Sequence, residues 1–85
     1  MKLLTWDEAK NILLKKKYGL GFEEIVDAIS TGYLLADIEH PKRKNQKMLI
    51  VTIKNYVYVV PYISTTGFLK TFWPSRKAKK EYMEN

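Results

Sequence analysis

Cysteine is absent from the sequence, and histidine, proline and glycine are scarce, with one, three and four copies among 85 residues. Without cysteine the chain has no disulfide bonds and no thiolate chemistry, which fits a cytoplasmic protein. A single histidine and no cysteine exclude His/Cys zinc sites and Cys–His catalysis. The glycines form no phosphate-binding loop, so nucleotide-dependent chemistry is not expected. We therefore expect a protein that uses no metal and no cofactor.

Long apolar runs are also absent, since no stretch of the sequence is long enough to span a bilayer. Residues 1–5 are followed at once by Trp6, Asp7 and Glu8, which is not the pattern of a signal peptide. Hydrophobic residues make up 46% of the chain, as in an ordinary globular domain, and the length allows one domain. We expect a single domain over residues 1–85, in the cytoplasm and without a membrane partner.

Acidic residues are scarce in the second half of the chain. Residues 1–39 hold five lysines and seven acids, a net charge of −2, whereas residues 40–85 hold ten Lys/Arg and two Glu, a net charge of +8. Together the halves give the net charge of +6. A basic half of this kind attracts either a polyanion or an acidic protein, and composition does not separate these two partners.

Two amphipathic helices are predicted at the start of the chain. Thr5 to Glu8 has the pattern of a capping box, with Thr5 as the cap and Glu8 reaching back to the Thr5 amide. This helix is expected to end near Tyr18, with Gly19 as its left-handed stop. A second helix is predicted over residues 22–29, because its apolar side chains recur at helical spacing and its acids lie on the opposite side.

Four β-strands and a short helix are predicted for the remainder of the chain. The strands are expected at Tyr33–Ile38, Lys47–Ile53, Tyr56–Ile63 and Phe68–Trp73. Lys54 and Asn55 suit a tight turn, since asparagine tolerates positive φ, and Pro61 favours a bend or a sheet edge because it lacks an amide donor. Ser75 is placed to cap a final helix. The predicted fold is α+β, with two N-terminal helices, a four-stranded antiparallel β-meander and a short basic C-terminal helix.

The helices are expected to cover one face of the sheet and to leave the other face partly open. The open face would carry a basic, aromatic surface made of His40, Arg43, Tyr56, Tyr58, Tyr62, Lys70, Trp73, Arg76, Lys79, Lys80 and Tyr82. Aromatic rings stack on unpaired bases and cations hold phosphates, so this surface favours RNA as the ligand. Cations at the start of the last helix oppose its dipole, and bound phosphates would offset that cost.

RNA carries its own nucleophile, the 2′-hydroxyl. A protein cleaves RNA without a metal by aligning that hydroxyl with the phosphate and stabilising the charge that develops. We predict that Arg43 and Arg76 hold the phosphate and that His40 or Tyr62 assists proton transfer. The predicted contacts to the rest of the RNA are Lys70, Lys79, Lys80 and Tyr82.

Several of these residues also have a purely structural interpretation. Trp6, a candidate for base stacking, opens an amphipathic helix and fits the hydrophobic core. The tyrosines between residues 56 and 62 are strand formers, and His40 fits an ordinary turn. Asp37 and Glu39, beside His40, are interpreted as solvated acids rather than as metal ligands.

Two groups of residues at opposite ends of the chain carry a resemblance to a known family. The first group is Trp6-Asp7-Glu8-Ala9-Lys10-Asn11, Lys17-Tyr18-Gly19 and Phe22-Glu23-Glu24, and the second is Ser75-Arg76-Lys77-Ala78 with Glu81-Tyr82. In order and spacing these segments resemble the BrnT-like toxins of bacterial type II toxin–antitoxin modules, which belong to the RelE/ParE-like group of folds. The resemblance spans nearly the whole chain, with Tyr18 in the place of a family histidine and a Ser-Arg-Lys segment shorter than the family's Ser-Ala-Arg-Lys.

The resemblance implies a RelE-like fold and an endoribonuclease that cleaves mRNA, free or on the ribosome, and so inhibits translation and growth. It also implies a cognate antitoxin of the ribbon-helix-helix type, with operator DNA bound only through the antitoxin complex. By position, Trp6, Arg43 and Arg76 match family positions that suit a role in activity, so Trp6 joins the predicted RNA contacts.

Other classes of function were weighed against this interpretation. A winged helix-turn-helix needs cations or amides on its recognition helix. Glu23, Glu24 and Asp27 lie on the exposed side of the second helix and repel phosphate, which argues against that class. Two alternatives stay open: a non-catalytic module whose basic face binds an acidic protein, and a ParE-like toxin that targets gyrase.

Overall fold

The computed structural model describes residues 3–83, so the first two and the last two residues of the predicted 1–85 domain lie outside the described part. The elements, in chain order, are α1 (Glu8–Tyr18), α2 (Phe22–Ser30), β1 (Leu34–Glu39), β2 (Gln46–Ile53), β3 (Tyr56–Ile63), β4 (Phe68–Leu69), β5 (Trp73–Pro74) and α3 (Arg76–Tyr82). The strand order is β1-β2-β3-β4, β5 also pairs with β3, and every pair is antiparallel. The α+β class and the antiparallel sheet are confirmed.

Helix α1 begins later than predicted. Its cap is Asp7, whose carboxylate accepts a hydrogen bond from the Ala9 amide at 3.1 Å. Thr5 takes part in the sheet instead, where its amide donates to the carbonyl of Gly67 at 3.1 Å. The predicted capping box is therefore wrong, because the backbone of Thr5 is engaged by a distant segment. At the other end, Gly19 has a φ of 76° and stops the helix as predicted.

A buried asparagine joins α1 to α2. The side chain of Asn11 is fully buried and accepts a hydrogen bond from the Phe22 amide at 2.8 Å. Its amide group donates to the Glu23 carboxylate at 3.0 Å. Since the first amides of a helix have no partner within the helix, Asn11 serves as a remote cap for α2. The apolar stripe of α2 packs against the sheet as predicted, with Phe22 and Ile25 fully buried.

The hairpin between β2 and β3 also follows the prediction. Lys54 and Asn55 have φ values of 52° and 66° and form the two-residue turn. A two-residue turn with positive φ at both positions matches the twist of the flanking strands. It sets Leu49 opposite Val60 on the two arms.

The predicted last strand is split in two by a bulge. Leu69 pairs with Tyr62 and Trp73 pairs with Val59, so three residues, 70–72, lie opposite two residues of β3. One of those two is Pro61, whose carbonyl accepts a hydrogen bond from the Lys70 amide at 2.9 Å. Because Pro61 has no amide to return, the ladder breaks there. β3 itself pairs with β2 through Pro61 without a register shift, so Pro61 is not at a sheet edge and the break falls in the partner segment. The predicted single strand Phe68–Trp73 is corrected.

The helices lie on both faces of the sheet, which corrects the expectation that one face stays open. Helices α1 and α2 pack on what we call the α1/α2 face, which holds Leu49, Val51, Val60, Leu69 and Phe72. Helix α3 packs on the opposite face, the α3 face, which holds Ile50, Val57 and Val59. Tyr58 and Tyr62 pack against the α1/α2 core, so these tyrosines do not share a face with α3.

Candidate nucleic-acid interface

Helix α3 carries the densest group of cations. Ser75 caps it as predicted, since the Ser75 hydroxyl accepts a hydrogen bond from the Ala78 amide at 3.0 Å. Ala78 is 6% exposed and packs on the sheet, and its small side chain lets the helix approach closely. The cations on either side of this contact therefore point outward, and Arg76, Lys77 and Lys80 are exposed.

The path of α3 across the sheet is fixed at both of its ends. At the start, the Ser75 amide donates to the carbonyl of Val57 at 2.9 Å. Past the end, the hydroxyl of Thr52 donates to Sδ of Met83 at 3.5 Å. These contacts lie in the half of the sheet next to the hairpin turn. Helix α3 therefore does not extend over the other half of this face, toward Gln46 and Ile63.

Lys70 and Trp73 lie on the α3 face at its β4–β5 side. Trp73 pairs with Val59, and directly paired residues share a face of a sheet. The Lys70 amide donates to the carbonyl of Pro61, which lies two residues from Val59 on the same side of β3. The Lys70 side chain is exposed, and Trp73 is 38% exposed. An exposed indole beside a cation suits a base next to a phosphate. Sequence reasoning counted Trp73 among the surface aromatics but gave it no role, because an aromatic residue at a strand end is equally common in a core.

His40 organises the turn between β1 and β2. Its Nδ1 accepts hydrogen bonds from the amides of Lys42 at 3.1 Å and Arg43 at 3.2 Å. An Nδ1 that accepts carries no proton, so the ring proton of the neutral imidazole sits on Nε2. Neither nitrogen is then a free proton acceptor. The geometry favours the interpretation of His40 as a turn residue over a role in proton transfer.

Tyr62 lies on the α1/α2 face, away from the cations of α3. Its hydroxyl donates to the Asp37 carboxylate at 2.9 Å. Burial, and next the hydrogen bond to Asp37, raise the pKa of Tyr62 to about 12. A proton acceptor near neutral pH needs a lowered pKa. The structure thus raises the pKa of Tyr62, whereas the predicted catalytic role needs a lowered pKa.

The two predicted phosphate ligands, Arg43 and Arg76, are far apart. Arg43 belongs to the turn that closes where His40 bonds to Gln46, whereas Arg76 begins the helix that starts beside Val57. Val57 pairs with Thr52, and Gln46 and Thr52 lie six residues apart on β2, about 20 Å along the strand. This separation is too large for both arginines to hold one phosphate in the way that the sequence predicted.

The remaining predicted contacts divide between the two faces. Trp6 stacks on Phe22 with ring centroids 5.6 Å apart and packs against the α1/α2 core, which supports its structural interpretation. Lys79 lies 5.1 Å from the ring centre of Tyr56, and Tyr82 packs against the core of the α3 face. Lys80 is exposed on α3. Of the predicted contacts, Lys79 and Lys80 thus lie on α3 with Arg76, and Lys70 lies between β4 and β5, whereas Tyr82 and Trp6 each pack against a core.

Within residues 3–83, no cluster of three or more His, Cys, Asp or Glu residues is arranged to hold a metal ion. In the same part of the chain, no helix combines the length and the apolar character needed to cross a bilayer. Comparison with known proteins gives no match to a family model, to a curated protein or to a solved structure.

Proposed function

We propose that this protein is a BrnT-like toxin with a RelE-like fold, an endoribonuclease that cleaves mRNA and so inhibits translation and growth. The observation that carries the proposal is the grouping of exposed cations with an exposed indole on the α3 face. Arg76, Lys77 and Lys80 are exposed on α3, Trp73 lies two residues before the Ser75 cap, and Lys70 lies opposite Pro61, further along β3. This pairing of charge with a stacking surface suits a single RNA strand.

The roles on this surface follow from side-chain chemistry. Arg76 presents a planar guanidinium that holds a phosphate by two hydrogen bonds and stabilises the charge that develops as the 2′-oxygen bonds to phosphorus and the bond from phosphorus to the 5′-oxygen breaks. Solvent water takes the proton of the 2′-hydroxyl and supplies the proton that the leaving 5′-oxygen gains. Lys70, Lys79 and Lys80 contact neighbouring phosphates. The cognate partner is an antitoxin of the ribbon-helix-helix type in the cytoplasm, and operator DNA is bound only through that complex.

The test is to induce the chain in a bacterial host and to map transcript 5′ ends within minutes. We expect new 5′ ends that disappear in an Arg76→Ala/Lys80→Ala variant. Lys16→Ala/Lys17→Ala, on exposed positions of α1, removes the same charge from the other face and is the matched control. Cleavage that persists in the α3 variant and is lost in the α1 variant would contradict the proposal.

A non-catalytic binding module is the second candidate function. It is favoured by one observation: both predicted proton acceptors are engaged, His40 by two turn amides and Tyr62 by Asp37. Purified protein separates the two functions. No cleavage of RNA, together with neither growth arrest nor new 5′ ends after induction, would favour a binding module for an acidic protein, whereas growth arrest without new ends would direct attention to gyrase.

A further inference from the structure

The two edges of the sheet differ in whether the chain covers them. At one edge, the N-terminal segment lies along β4: the Thr5 amide donates to Gly67, and the Leu69 amide donates to the Thr5 carbonyl at 2.8 Å. At the other edge, β1 pairs with β2 on its inner side. In the part of the chain that the structure describes, no strand pairs with the outer side of β1. An uncovered edge is a template for another strand.

The hydrogen-bond pattern shows which backbone groups of β1 face outward. The His40 amide donates to the carbonyl of Gln46, and Ile38 pairs with Met48 in the same register. In an antiparallel pair, residues alternate between those that bond to the neighbouring strand and those that turn their backbone away. Asp37 and Glu39, the alternate residues, therefore present their amides and carbonyls at the free edge.

The side chains of Asp37 and Glu39 make this edge acidic. Both lie on the α1/α2 face, where Lys47 Nζ is 3.5 Å from Asp37 and 3.8 Å from Glu39. The Glu39 side chain is 80% exposed and the Asp37 side chain is 39% exposed. One cation faces two carboxylates, so the group keeps a net negative charge. A Lys or Arg of a partner would neutralise it.

An apolar groove adjoins the same residues. A cavity of about 270 Å³ opens on the α1/α2 face, with Leu4, Ile29, Leu34 and Leu49 on its walls and Asp37 and Tyr62 at its polar side. Leu34 is 38% exposed. On the α1/α2 face, an aliphatic side chain of a strand added to β1 would lie beside Leu34 and Asp37, which line this groove, because residues opposite one another share a face of a sheet.

We propose that this edge and groove are the docking site for an extended segment of a partner protein that carries two Lys or Arg residues and an aliphatic residue at alternate positions, so that all three side chains lie on one face of the strand. The segment adds a strand to β1, bonds to the outward backbone groups of Asp37 and Glu39, places its cations at their carboxylates and fills the groove with an aliphatic side chain. Strand addition of this kind takes affinity from backbone bonds and specificity from alternate side chains.

Charge decides against two other occupants. A second copy that paired β1 with β1 would set Asp37 and Glu39 of the two chains against each other, and like charges opposite one another destabilise a strand pair. RNA would bring its phosphates to the same carboxylates. The site is independent of the α3 face, so it goes beyond the proposed function and does not rest on it.

The test is amide hydrogen exchange by NMR on the whole protein, with the synthetic peptide Val-Thr-Lys-Thr-Lys-Thr-Val, whose valines and lysines all lie on one face of a strand in either orientation. In the free protein we expect rapid exchange at the amides of Asp37 and Glu39, and with saturating peptide we expect it to slow by about tenfold or more. A peptide with glutamate in place of lysine is the matched control and should not bind.

A variant of the protein tests how much the two carboxylates contribute to peptide binding. Asp37→Asn/Glu39→Gln keeps the acceptor for the Tyr62 hydroxyl and removes both charges, and we expect the Kd for the lysine peptide to rise about tenfold. Four results would overturn the proposal: slow exchange at both amides in the free protein, equal binding of the two peptides, an unchanged Kd in this variant, or a concentration-dependent dimer in sedimentation that occupies β1.

Discussion

The hydroxyl of Tyr62 on β3 donates to the carboxylate of Asp37 on β1 at 2.9 Å, and so connects two strands that are separated by β2. The same carboxylate lies 3.5 Å from Lys47 on the intervening strand. One acid therefore links all three strands at the end of the sheet that α3 does not reach. The Tyr62 hydroxyl is therefore engaged in a contact that stabilises the sheet.

The substitution Tyr62→Phe removes this bond and leaves the ring in place. We expect a loss of about 1 kcal/mol in the free energy of unfolding, since a hydrogen bond to a partly exposed charged group contributes on that order. Burial and the bond to Asp37 raise the pKa of Tyr62 from 10 to about 12, so its contribution is present below pH 10 and is lost as the pH rises through about 12.

Urea unfolding at neutral and alkaline pH measures both effects of Tyr62→Phe. The wild-type protein should lose stability between about pH 10 and 12 more steeply than the variant does. Tyr33→Phe, at a position 55% exposed, is the control and should leave the profile unchanged. Parallel profiles for the wild type and Tyr62→Phe would show that the bond to Asp37 does not control this titration.

Asn11 and Glu23 give a second prediction, at acid pH. Hydrogen bonds, first from Asn11 and then from the backbone of Glu23, lower the pKa of Glu23 below its usual 4.5. A lowered pKa contributes stability above 4.5 that is lost as the pH falls through the folded-state value. Asn11→Ala leaves the Phe22 amide without its partner, so we expect about 2 kcal/mol of destabilisation at neutral pH.

The acid profile distinguishes the two consequences of Asn11→Ala. Unfolding by urea at several pH values should show a smaller loss of stability below pH 4.5 in the variant than in the wild type. Lys16→Ala, on an exposed position of α1, is the control for a substitution in the same helix. An acid loss of full size in Asn11→Ala would mean that Asn11 does not stabilise the charged form of Glu23.

Substitution of two glycines with similar φ angles distinguishes the cost of a left-handed backbone from the cost of a steric clash. Gly19 has a φ of 76° and open space around it, whereas Gly67 has a φ of 79° and a Cβ there would lie 2.7 Å from the carbonyl oxygen of Leu3. Gly19→Ala should cost about 1–2 kcal/mol for the left-handed conformation alone. Gly67→Ala should cost clearly more, because the segment that covers β4 must also move. Equal urea midpoints for the two variants would contradict this.

Much of this fold follows from local sequence patterns. The turn at Lys54 and Asn55, the helix stop at Gly19 and the stripe of α2 depend on residues a few positions apart, so the sequence alone predicts them. The cap of α1 does not follow from local sequence, because the Thr5 amide donates a hydrogen bond to the carbonyl of Gly67, far away in the chain. Period-two alternation shows that Tyr58 and Tyr62 share a face, but which face receives which helix depends on packing between distant elements.

The candidate site was predicted less completely than the fold. Sequence order indicates that Lys70, Trp73 and Arg76 come together, because a strand end and the next helix start are close in any fold. It does not indicate the separation of Arg43 from Arg76, which depends on the length of β2. Nor does it show that His40 is engaged by the amides of Lys42 and Arg43, since that bond forms only in one turn geometry.

Trp73 provides the most direct test of the α3 face as an RNA interface. If an unpaired base stacks on its exposed indole, Trp73→Ala should weaken binding of single-stranded RNA by about 1–3 kcal/mol, which is about 5-fold to 150-fold in Kd. Trp73→Phe keeps a ring and should retain most of the affinity. Trp6→Phe, in the opposite core, should leave the Kd unchanged in protein that remains folded.

The salt dependence of the same binding reaction separates stacking from charge. For single-stranded RNA the slope of log K against log salt is about −0.7 per phosphate contact. Arg76→Ala/Lys80→Ala should therefore flatten the slope by about 1.4, whereas Trp73→Ala should lower the affinity and keep the slope. Fluorescence anisotropy with a labelled oligoribonucleotide at several salt concentrations measures both quantities. If the α3 variant kept the wild-type slope, the phosphates would have to lie on another surface of the protein.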